Sequence, residues 1–391
     1  MRIPAFTIIL CLIIDPAFGQ GLGQATRPAG ATQRKLILPS APLRYAGQVL
    51  PDHIKAVSSL FDNTPDSNPI TNDGATLGRV LFYDPTLSAN GSTSCASCHS
   101  QSTAFTDDRR FSKGFEGREV DRNSMSLVNL RYYRTGKFFW DERAASLEDQ
   151  VLMPIENPVE MGHHLPSLVA QLQQDPIYPP LFRSAFGTSN VTEQRLARAL
   201  AQFIRSIVSV RSRYDLGRAE VNSVLDPFPN FSEQENYGKQ QFFGRAKCSE
   251  CHLPEIENGR GAARQSAFFQ LEKPLVNGID SDSADVDGGV GASTGRTEDW
   301  GRFKATSLRN IELTAPYMHD GRFRTLDQVI EHYNWSVKPH RNLDSRLKDF
   351  AANGLALPEV EKVALAEFLK TLTDHKFIND PKFSNPFVLV K

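Results

Sequence analysis

Two pentapeptides of the pattern Cys-x-x-Cys-His have the residue types and spacing needed for chemistry. Their reactive side chains are Cys95, Cys98 and His99 in the first copy and Cys248, Cys251 and His252 in the second. In this pattern the two thiols can add to the vinyl groups of a haem, and the adjacent imidazole can take one axial position on the iron. The sequence therefore predicts two covalently bound c-type haems, with His99 and His252 as iron ligands.

Other uses of paired cysteines fit this sequence less well. Zinc sites built from two Cys-x-x-Cys pairs keep the pairs close together, whereas these motifs begin 153 positions apart (248 minus 95). A thioredoxin-like dithiol needs no histidine after the second cysteine, yet one follows both pairs. The fifth cysteine, Cys11, lies in the N-terminal apolar run, so no pair is left for a structural disulfide.

The composition excludes some classes of function. The chain has 391 residues, 40% of them hydrophobic, and a formal net charge of −1. This length is enough to bury two cores. The near-neutral charge favours neither a nucleic-acid-binding protein nor a polybasic membrane-binding one.

Residues 1–19 are typical of a secretory signal peptide. Arg2 supplies a basic start, Ile3–Ile14 is largely apolar, and Ala17-Phe18-Gly19 offers a small-x-small cleavage site. The apolar run is too short to span a bilayer comfortably. Because bacteria attach c-type haems outside the cytoplasm, export agrees with the haem motifs. We expect a soluble periplasmic protein in which residues 20–45 form a flexible leader.

Hydrophobic periodicity predicts a mainly α-helical protein with long loops and little sheet. The clearest helix is Thr192–Val210, which places Leu196, Leu200, Phe203 and Ile204 on one face. Further helices are predicted at Ser146–Met153, Ser232–Phe243, Leu326–Tyr333 and Pro358–Leu372, the last with Val363, Leu365, Phe368 and Leu369 buried.

Two motifs in two segments predict two cytochrome c-like haem domains. We expect an N-terminal haem domain over residues 46–215 and a C-terminal haem domain over residues 216–391. Residues 211–230, with Pro227 and Pro229, have the composition of a hinge between them.

Four segments combine with the two motifs into a specific pattern. They are Leu77–Asp84, Phe139–Asp141, Asn157–Gly162, and Leu308–Asn310 with its continuation through Tyr317–Gly321. In this order, over roughly residues 75–375, they resemble the bacterial di-haem cytochrome c peroxidase family, which includes the MauG proteins of methylamine dehydrogenase maturation.

The resemblance implies that the N-terminal haem domain is the peroxidatic one and the C-terminal haem domain the electron-transfer one. It also implies roles for three residues around the first haem. Glu160 would be the acid–base group that takes a proton from H₂O₂ and returns it to the departing oxygen. Gln150, ten positions earlier, would be a polar partner for the bound peroxide. Trp140 matches the family's tryptophan between the haems, which helps to pass electrons.

The resemblance also implies a calcium ion between the domains. Its protein ligands would be the side chain of Asn129 and the backbone carbonyls of Thr314 and Pro316. One carboxamide and two carbonyls, completed by water, suit a hard cation such as Ca²⁺.

The chain departs from the activation-dependent members of the family in the loop after the first motif. Those members carry a histidine there, which ligates the first iron until the protein is half reduced. This sequence has no histidine between Ser100 and His163. We therefore expect the first haem to be open in the isolated, oxidised protein.

A second departure concerns the distal ligand of the second haem, which is a methionine in ordinary members. The matching position here is Tyr333, and MauG-like members carry tyrosine there. A phenolate stabilises ferric and higher iron relative to a thioether. Met318 and His332 are the alternative ligands.

These patterns predict a periplasmic di-haem peroxidase of the MauG type. Electrons would come from a small cytochrome c or cupredoxin, or from a protein substrate that becomes modified. The alternatives are a non-catalytic electron-transfer cytochrome and an ordinary activation-dependent cytochrome c peroxidase.

Overall fold

The computed structural model describes residues 34–253, 255–257, 263–265, 267–283 and 286–389. Its α-helices are Asp52–Phe61 (α1), Asn72–Tyr83 (α2), Leu147–Gln150 (α3), Met153–Glu156 (α4), Leu165–Gln174 (α5), Tyr178–Phe186 (α6), Glu193–Ser206 (α7), Arg213–Ala219 (α8), Glu233–Phe243 (α9), Ser249–His252 (α10), Val290–Thr294 (α11), Leu326–Trp335 (α12), Lys348–Asn353 (α13) and Glu359–Lys370 (α14). Its strands are Arg34–Leu36 (β1), Glu255–Glu257 (β2), Ala263–Gln265 (β3) and Phe387–Leu389 (β4).

The predicted fold class is confirmed. Within the described ranges the strands form only two antiparallel pairs, β1 with β4 and β2 with β3. The helices predicted from periodicity form at α7, α9, α12 and α14, and the region predicted as Ser146–Met153 forms the short helices α3 and α4. Side-chain caps explain several of these starts: Thr192 accepts from the N–H of Arg195, and Thr325 accepts from that of Gln328.

Two crossed helix pairs build the two halves of the molecule. In the first half α2 crosses α7 at Gly78, where a Cβ would lie 2.0 Å from the carbonyl oxygen of Ala199. In the second half α9 crosses α14 at Gly238, where a Cβ would lie 1.9 Å from the carbonyl oxygen of Ala364. Each crossing therefore requires glycine for backbone-to-backbone contact. The repeat supports two related halves, each with one Cys-x-x-Cys-His motif.

The hydrophobic core of the first half is completed by the end of the chain. Phe377 and Phe383 are buried in the cluster that contains Phe82, Phe105 and Phe203. Strand β4 then pairs with β1, so that residues 34–36 and 387–389 lie side by side. We therefore propose that the last residues, although predicted within 216–391, belong structurally to the N-terminal domain.

The segment predicted as a hinge, residues 211–230, contains helix α8, which buries Tyr214, Asp215 and Gly217. Asp215 of α8 pairs with Arg309 at 2.8 Å and with His53 of α1 at 3.1 Å. Burial alone would raise the pKa of Asp215, but the charge of Arg309 and the hydrogen bonds from His53 and Arg309 hold it well below its usual range. His53 of α1 thus joins the first half to this buried pair, and removing either Asp215 or Arg309 would leave an uncompensated charge.

The predicted signal peptide, residues 1–19, and the leader up to residue 33 lie outside the described residues. Across the described ranges, no helix has both the length and the apolar character needed to cross a membrane.

Candidate active site

The first Cys-x-x-Cys-His motif opens into a cavity of about 660 Å³, within the size range of cofactor pockets. Its wall includes Cys95, Cys98 and His99 on the motif, Gln150 on α3, Pro154 on α4, Asn157, Glu160, Trp140, Arg143, and Leu200 and Ile204 on α7. The four residues predicted for this site, His99, Gln150, Glu160 and Trp140, are thus brought together. Leu200 and Ile204, on the apolar face of α7, supply part of the apolar lining of this cavity.

The backbone holds His99 in the tautomer that an iron ligand needs. Its Nδ1–H donates to the carbonyl oxygen of Phe105 at 2.9 Å, which leaves Nε2 as the unprotonated nitrogen. Phe105 and Ala104 reach this position through left-handed backbone conformations, with φ of 60° and 52°. Burial lowers the pKa of His99, which keeps the imidazole neutral.

The second motif repeats this arrangement. The Nδ1–H of His252 donates to the carbonyl oxygen of Phe269 at 3.3 Å, and Phe269 has a φ of 54°. Burial lowers the pKa of His252 to about 4. Cys248, Cys251 and His252 line a second cavity of about 210 Å³.

The rival uses of the cysteines do not fit this geometry. Burial raises the pKa of Cys95 and of Cys248 to about 12, whereas a thioredoxin-like dithiol needs a lowered one. No group of three or more His, Cys, Asp or Glu side chains is placed to hold a metal ion in the part of the chain that the structure describes. Two thiols and a neutral imidazole at the wall of an apolar cavity fit a covalently bound haem.

Glu160 is held in the wall of the first cavity by a tight turn. Its N–H donates to the carbonyl oxygen of Asn157, and its side-chain Oε1 accepts from Nδ2 of Asn157 at 2.9 Å. Its carbonyl oxygen accepts from the N–H of Phe115 at 2.9 Å, so a second loop braces it. Burial raises the pKa of Glu160, against the opposing charge of Arg143 and the hydrogen bond from Asn157. A carboxyl group of this kind suits proton transfer near neutral pH.

Asn157 and Arg143 are site residues that sequence reasoning missed. Both line the first cavity, and both act on the carboxyl group of Glu160. Asn157 lies in the matched segment Asn157–Gly162, so a sequence pattern pointed to it. Arg143 lies shortly after Trp140, and no other feature of the sequence pointed to it.

The histidines nearest in sequence to this site lie away from the cavity. His163 Nδ1 contacts the carbonyl oxygen of His164, and His164 Nδ1 contacts Oγ of Ser167. Among the described residues that line the cavity, His99 is the only histidine. The geometry therefore agrees with an open first haem.

Trp140 lies between the two sites. It lines both cavities, its Nε1–H donates to the carbonyl oxygen of Asn123 at 2.8 Å, and its own carbonyl oxygen accepts from the N–H of Lys304 at 2.9 Å. An indole fixed at both its ring and its backbone suits a residue that passes electrons without moving.

The structure separates the three candidate ligands for the second haem. Tyr333, on α12, lines the second cavity, where burial raises the pKa of its phenol. His332, the next residue on this helix, does not line it and contacts the carbonyl oxygen of Asn277 through Nε2 at 3.1 Å. Met318 does line the cavity. The geometry thus disfavours His332 and leaves Tyr333 and Met318.

The predicted calcium ligand Asn129 is engaged elsewhere. Its Nδ2 donates to the carbonyl oxygen of Ser209 and its Oδ1 accepts from the N–H of Ser209, both at 3.0 Å. It lines neither cavity, whereas Thr314 and Pro316 line the second. The structure thus does not bring Asn129 together with Thr314 and Pro316 at one cavity, and the role of Asn129 as a calcium ligand stays a prediction.

Comparisons with known proteins agree with this site. A family model described as di-haem cytochrome c peroxidase matches residues 72–220. The methylamine utilization protein MauG of Methylorubrum extorquens is 31% identical over 90% of this chain and 88% of its own length. The cytochrome c551 peroxidase of Nitrosomonas europaea is 32% identical over 82% of this chain and 84% of its own.

Solved structures show the same likeness. The crystal structure of a MauG-like protein associated with microbial copper homeostasis superposes with a TM-score of 0.68, at 32% identity, over 82% of this chain and 95% of that one. The di-haem peroxidase BthA of Burkholderia thailandensis shares the fold, with a TM-score of 0.65 at 20% identity over 90% of this chain and 99% of that one. This chain therefore belongs to the di-haem cytochrome c peroxidase family that includes MauG.

Proposed function

We propose that this peroxidase-type oxidoreductase reduces H₂O₂ in the first cavity, in the manner of the MauG-like members of its family. The observation that carries the proposal is the placement of Glu160, a buried carboxyl group of raised pKa, in the wall of the cavity that the Cys95–His99 motif also lines. A haem iron ligated by His99 would supply the centre at which the O–O bond is broken. The balanced reaction consumes H₂O₂, two electrons and two protons and yields two water molecules.

The residues of this chain would handle the protons. Glu160 Oε1 or Oε2 accepts a proton from one peroxide oxygen and delivers it to the other as the bond breaks. Asn157 orients the carboxyl group, and Gln150 offers an amide to the bound peroxide. Arg143 opposes the rise in the pKa of Glu160, which keeps part of the population ionised and able to accept the proton.

The electrons would pass through the second site. Trp140 links the cavities, and Tyr333 is the side chain that we propose as the distal ligand of the second haem. Family membership implies protein electron partners; we propose a small cytochrome c or cupredoxin, or a protein substrate. A periplasmic location fits both the donor and the attachment of c-type haem.

We retain calcium in the proposal with one change of ligand. Asn123 lines the second cavity together with Thr314 and Pro316, and it also lines the first. The Nδ2 of Asn123 donates to the carbonyl oxygens of Arg109 and Arg110, so its Oδ1 would be the calcium ligand in this proposal. One carboxamide and two carbonyls still suit Ca²⁺.

Covalent attachment predicts a specific mass. Denatured protein should carry two haems, because both thiols of each motif line a cavity together with the histidine that follows them. Changing Cys95 and Cys98 together to alanine should remove one covalent haem and leave the other. Intact-protein mass spectrometry measures both results, and a haem-free, zinc-containing protein would contradict the whole proposal.

The open first cavity predicts reactivity without prior reduction. Fully oxidised protein should show a high-spin haem and respond to H₂O₂ at once, because His163 and His164 are held outside the cavity. Optical and EPR spectra before and after mixing test this, with ascorbate-treated protein as the comparison. Two low-spin haems that do not react with H₂O₂ until the protein is half reduced would instead identify an activation-dependent peroxidase. A protein that does not react with H₂O₂ in either the oxidised or the half-reduced state would be a non-catalytic cytochrome.

A further inference from the structure

A buried tyrosine cluster lies beside the two cavities and has no part in the reaction proposed above. It consists of Tyr133, Glu142, Glu272 and Lys304. The hydroxyl group of Tyr133, whose side chain is fully buried, donates to Oε1 of Glu142. Lys304 Nζ lies 3.6 Å from the centroid of the Tyr133 ring and has no hydrogen-bond partner among the described residues.

Glu142 occupies a backbone position that favours glycine. Its φ is 54°, in the left-handed region that side chains other than Asn and Asp rarely adopt. The second half provides the internal comparison: the bridged loop Phe138–Ala144 corresponds to Tyr317–Phe323, and the residue matching Glu142 is Gly321, with a φ of 63°. The first half thus has a glutamate with a strained backbone where the second half has a glycine. The carboxylate of this glutamate accepts the hydrogen bond from Tyr133.

The cluster contacts both haem sites through single residues in the walls of the two cavities. Lys304 lines the second cavity, and its N–H donates to the carbonyl oxygen of Trp140. Phe138 lines the first cavity, and its ring centroid is 5.3 Å from Lys304 Nζ. Lys304 therefore connects Tyr133 to Trp140, while Thr135, which also contacts Glu142, is exposed.

The charges around Tyr133 dictate how it can lose an electron. Burial lowers the pKa of Lys304 to about 7, and the ammonium form of Lys304 over the ring opposes a positively charged ring. Burial, followed by the charge of Glu142, raises the pKa of the Tyr133 phenol well above its usual range, so the phenolate is not formed at neutral pH. Oxidation consequently requires the proton to leave together with the electron, and Glu142 already accepts the hydrogen bond.

We propose that Tyr133 is a redox-active residue that exchanges electrons with the haem sites by way of Trp140, with Glu142 as its proton acceptor. One electron leaves Tyr133, its phenolic proton passes to Glu142 Oε1, and a neutral tyrosyl radical remains. One electron from the protein donor and the same proton then restore the phenol. The inference rests on the proposed function, because the oxidant is one of the two oxidising equivalents of H₂O₂.

The test mixes fully oxidised holoprotein with one equivalent of H₂O₂ in the absence of a donor and freezes it for EPR. The organic-radical signal should change its hyperfine splitting when the protein contains ring-deuterated tyrosine. Tyr133→Phe should abolish this signal, whereas Tyr132→Phe, a change at the neighbouring buried tyrosine, should keep it. The haem absorption bands should respond to peroxide at the wild-type rate in both variants, since neither tyrosine lines the first cavity.

Glu142→Gly separates proton transfer from a structural role. Glycine relaxes the left-handed position, so the fold should be at least as stable, yet the radical should form slower by a factor on the order of 10². A radical signal that is unchanged by tyrosine labelling or by Tyr133→Phe, while the haem bands still respond, overturns this inference alone. Wild-type haem bands that do not respond to peroxide overturn the proposed function and this inference with it.

Discussion

Replacing Glu160 with glutamine should slow the cleavage of H₂O₂ by roughly 10²–10⁴. The amide keeps the size of the side chain and its place beside Asn157, but it cannot accept a proton. Both haems should remain bound, because Glu160 does not belong to either Cys-x-x-Cys-His motif. Stopped-flow absorption of oxidised protein mixed with H₂O₂ measures the rate, and the absorption of the denatured protein measures haem content.

The pH profile sharpens this test. Burial raises the pKa of Glu160, and the ionised form is the one that accepts the proton. The rate for wild-type protein should therefore fall as the pH drops through this raised pKa. This fall should occur at higher pH than an exposed glutamate would give, and it should be absent in Glu160→Gln. Glu156→Gln is the matched control, since Glu156 is exposed and lines neither cavity. A Glu160 variant that reacts at wild-type speed would make Glu160 merely structural.

Replacing Tyr333 with methionine should raise the reduction potential of the second haem by on the order of 0.1 V or more, within the ~0.8 V range that axial ligands span. A neutral thioether compensates ferric charge less than a phenolate does. The oxidised state that H₂O₂ produces should then decay faster, because the second site holds its share of the oxidation less well. Spectroelectrochemical titration gives the potential, and optical decay after peroxide addition gives the lifetime.

Met318→Leu is the control that decides between the two remaining ligands. Both side chains line the second cavity. If Tyr333 is the ligand, Met318→Leu should leave the potential and the low-spin spectrum nearly unchanged. The reverse pattern, a large shift with Met318→Leu and none with Tyr333→Phe, would assign the iron to Met318 and remove the main argument for MauG-like behaviour.

Sequence patterns predicted the local parts of this fold well. The period of apolar residues and a threonine cap were enough for α7, and the same holds for α12. They did less well where one residue depends on a distant partner. Val363, predicted as buried in α14, is 40% exposed, whereas Arg205 of α7 is buried because Glu148 pairs with it at 2.6 Å.

The candidate site shows the same division. The Cys-x-x-Cys-His motifs, Gln150 and Glu160 lie in short stretches whose spacing can be read directly, and the structure brings the first motif, Gln150 and Glu160 to one cavity. The pairing of Asp215 with Arg309 joins residues 94 positions apart, and no local sequence pattern predicts this pairing. The contacts of Asn129 are of the same kind, because only the fold shows that Ser209 takes both ends of its amide.

The return of the chain end to the first core has a consequence for the order in which the protein matures. Phe377 and Phe383 fill the core around Phe105, whose carbonyl oxygen fixes His99. Emergence of the first half during synthesis or export therefore cannot complete its own haem pocket. The packing around the first Cys-x-x-Cys-His motif is complete only after Phe377 and Phe383 have been synthesised. We therefore expect the two halves to reach their final form together and not one after the other.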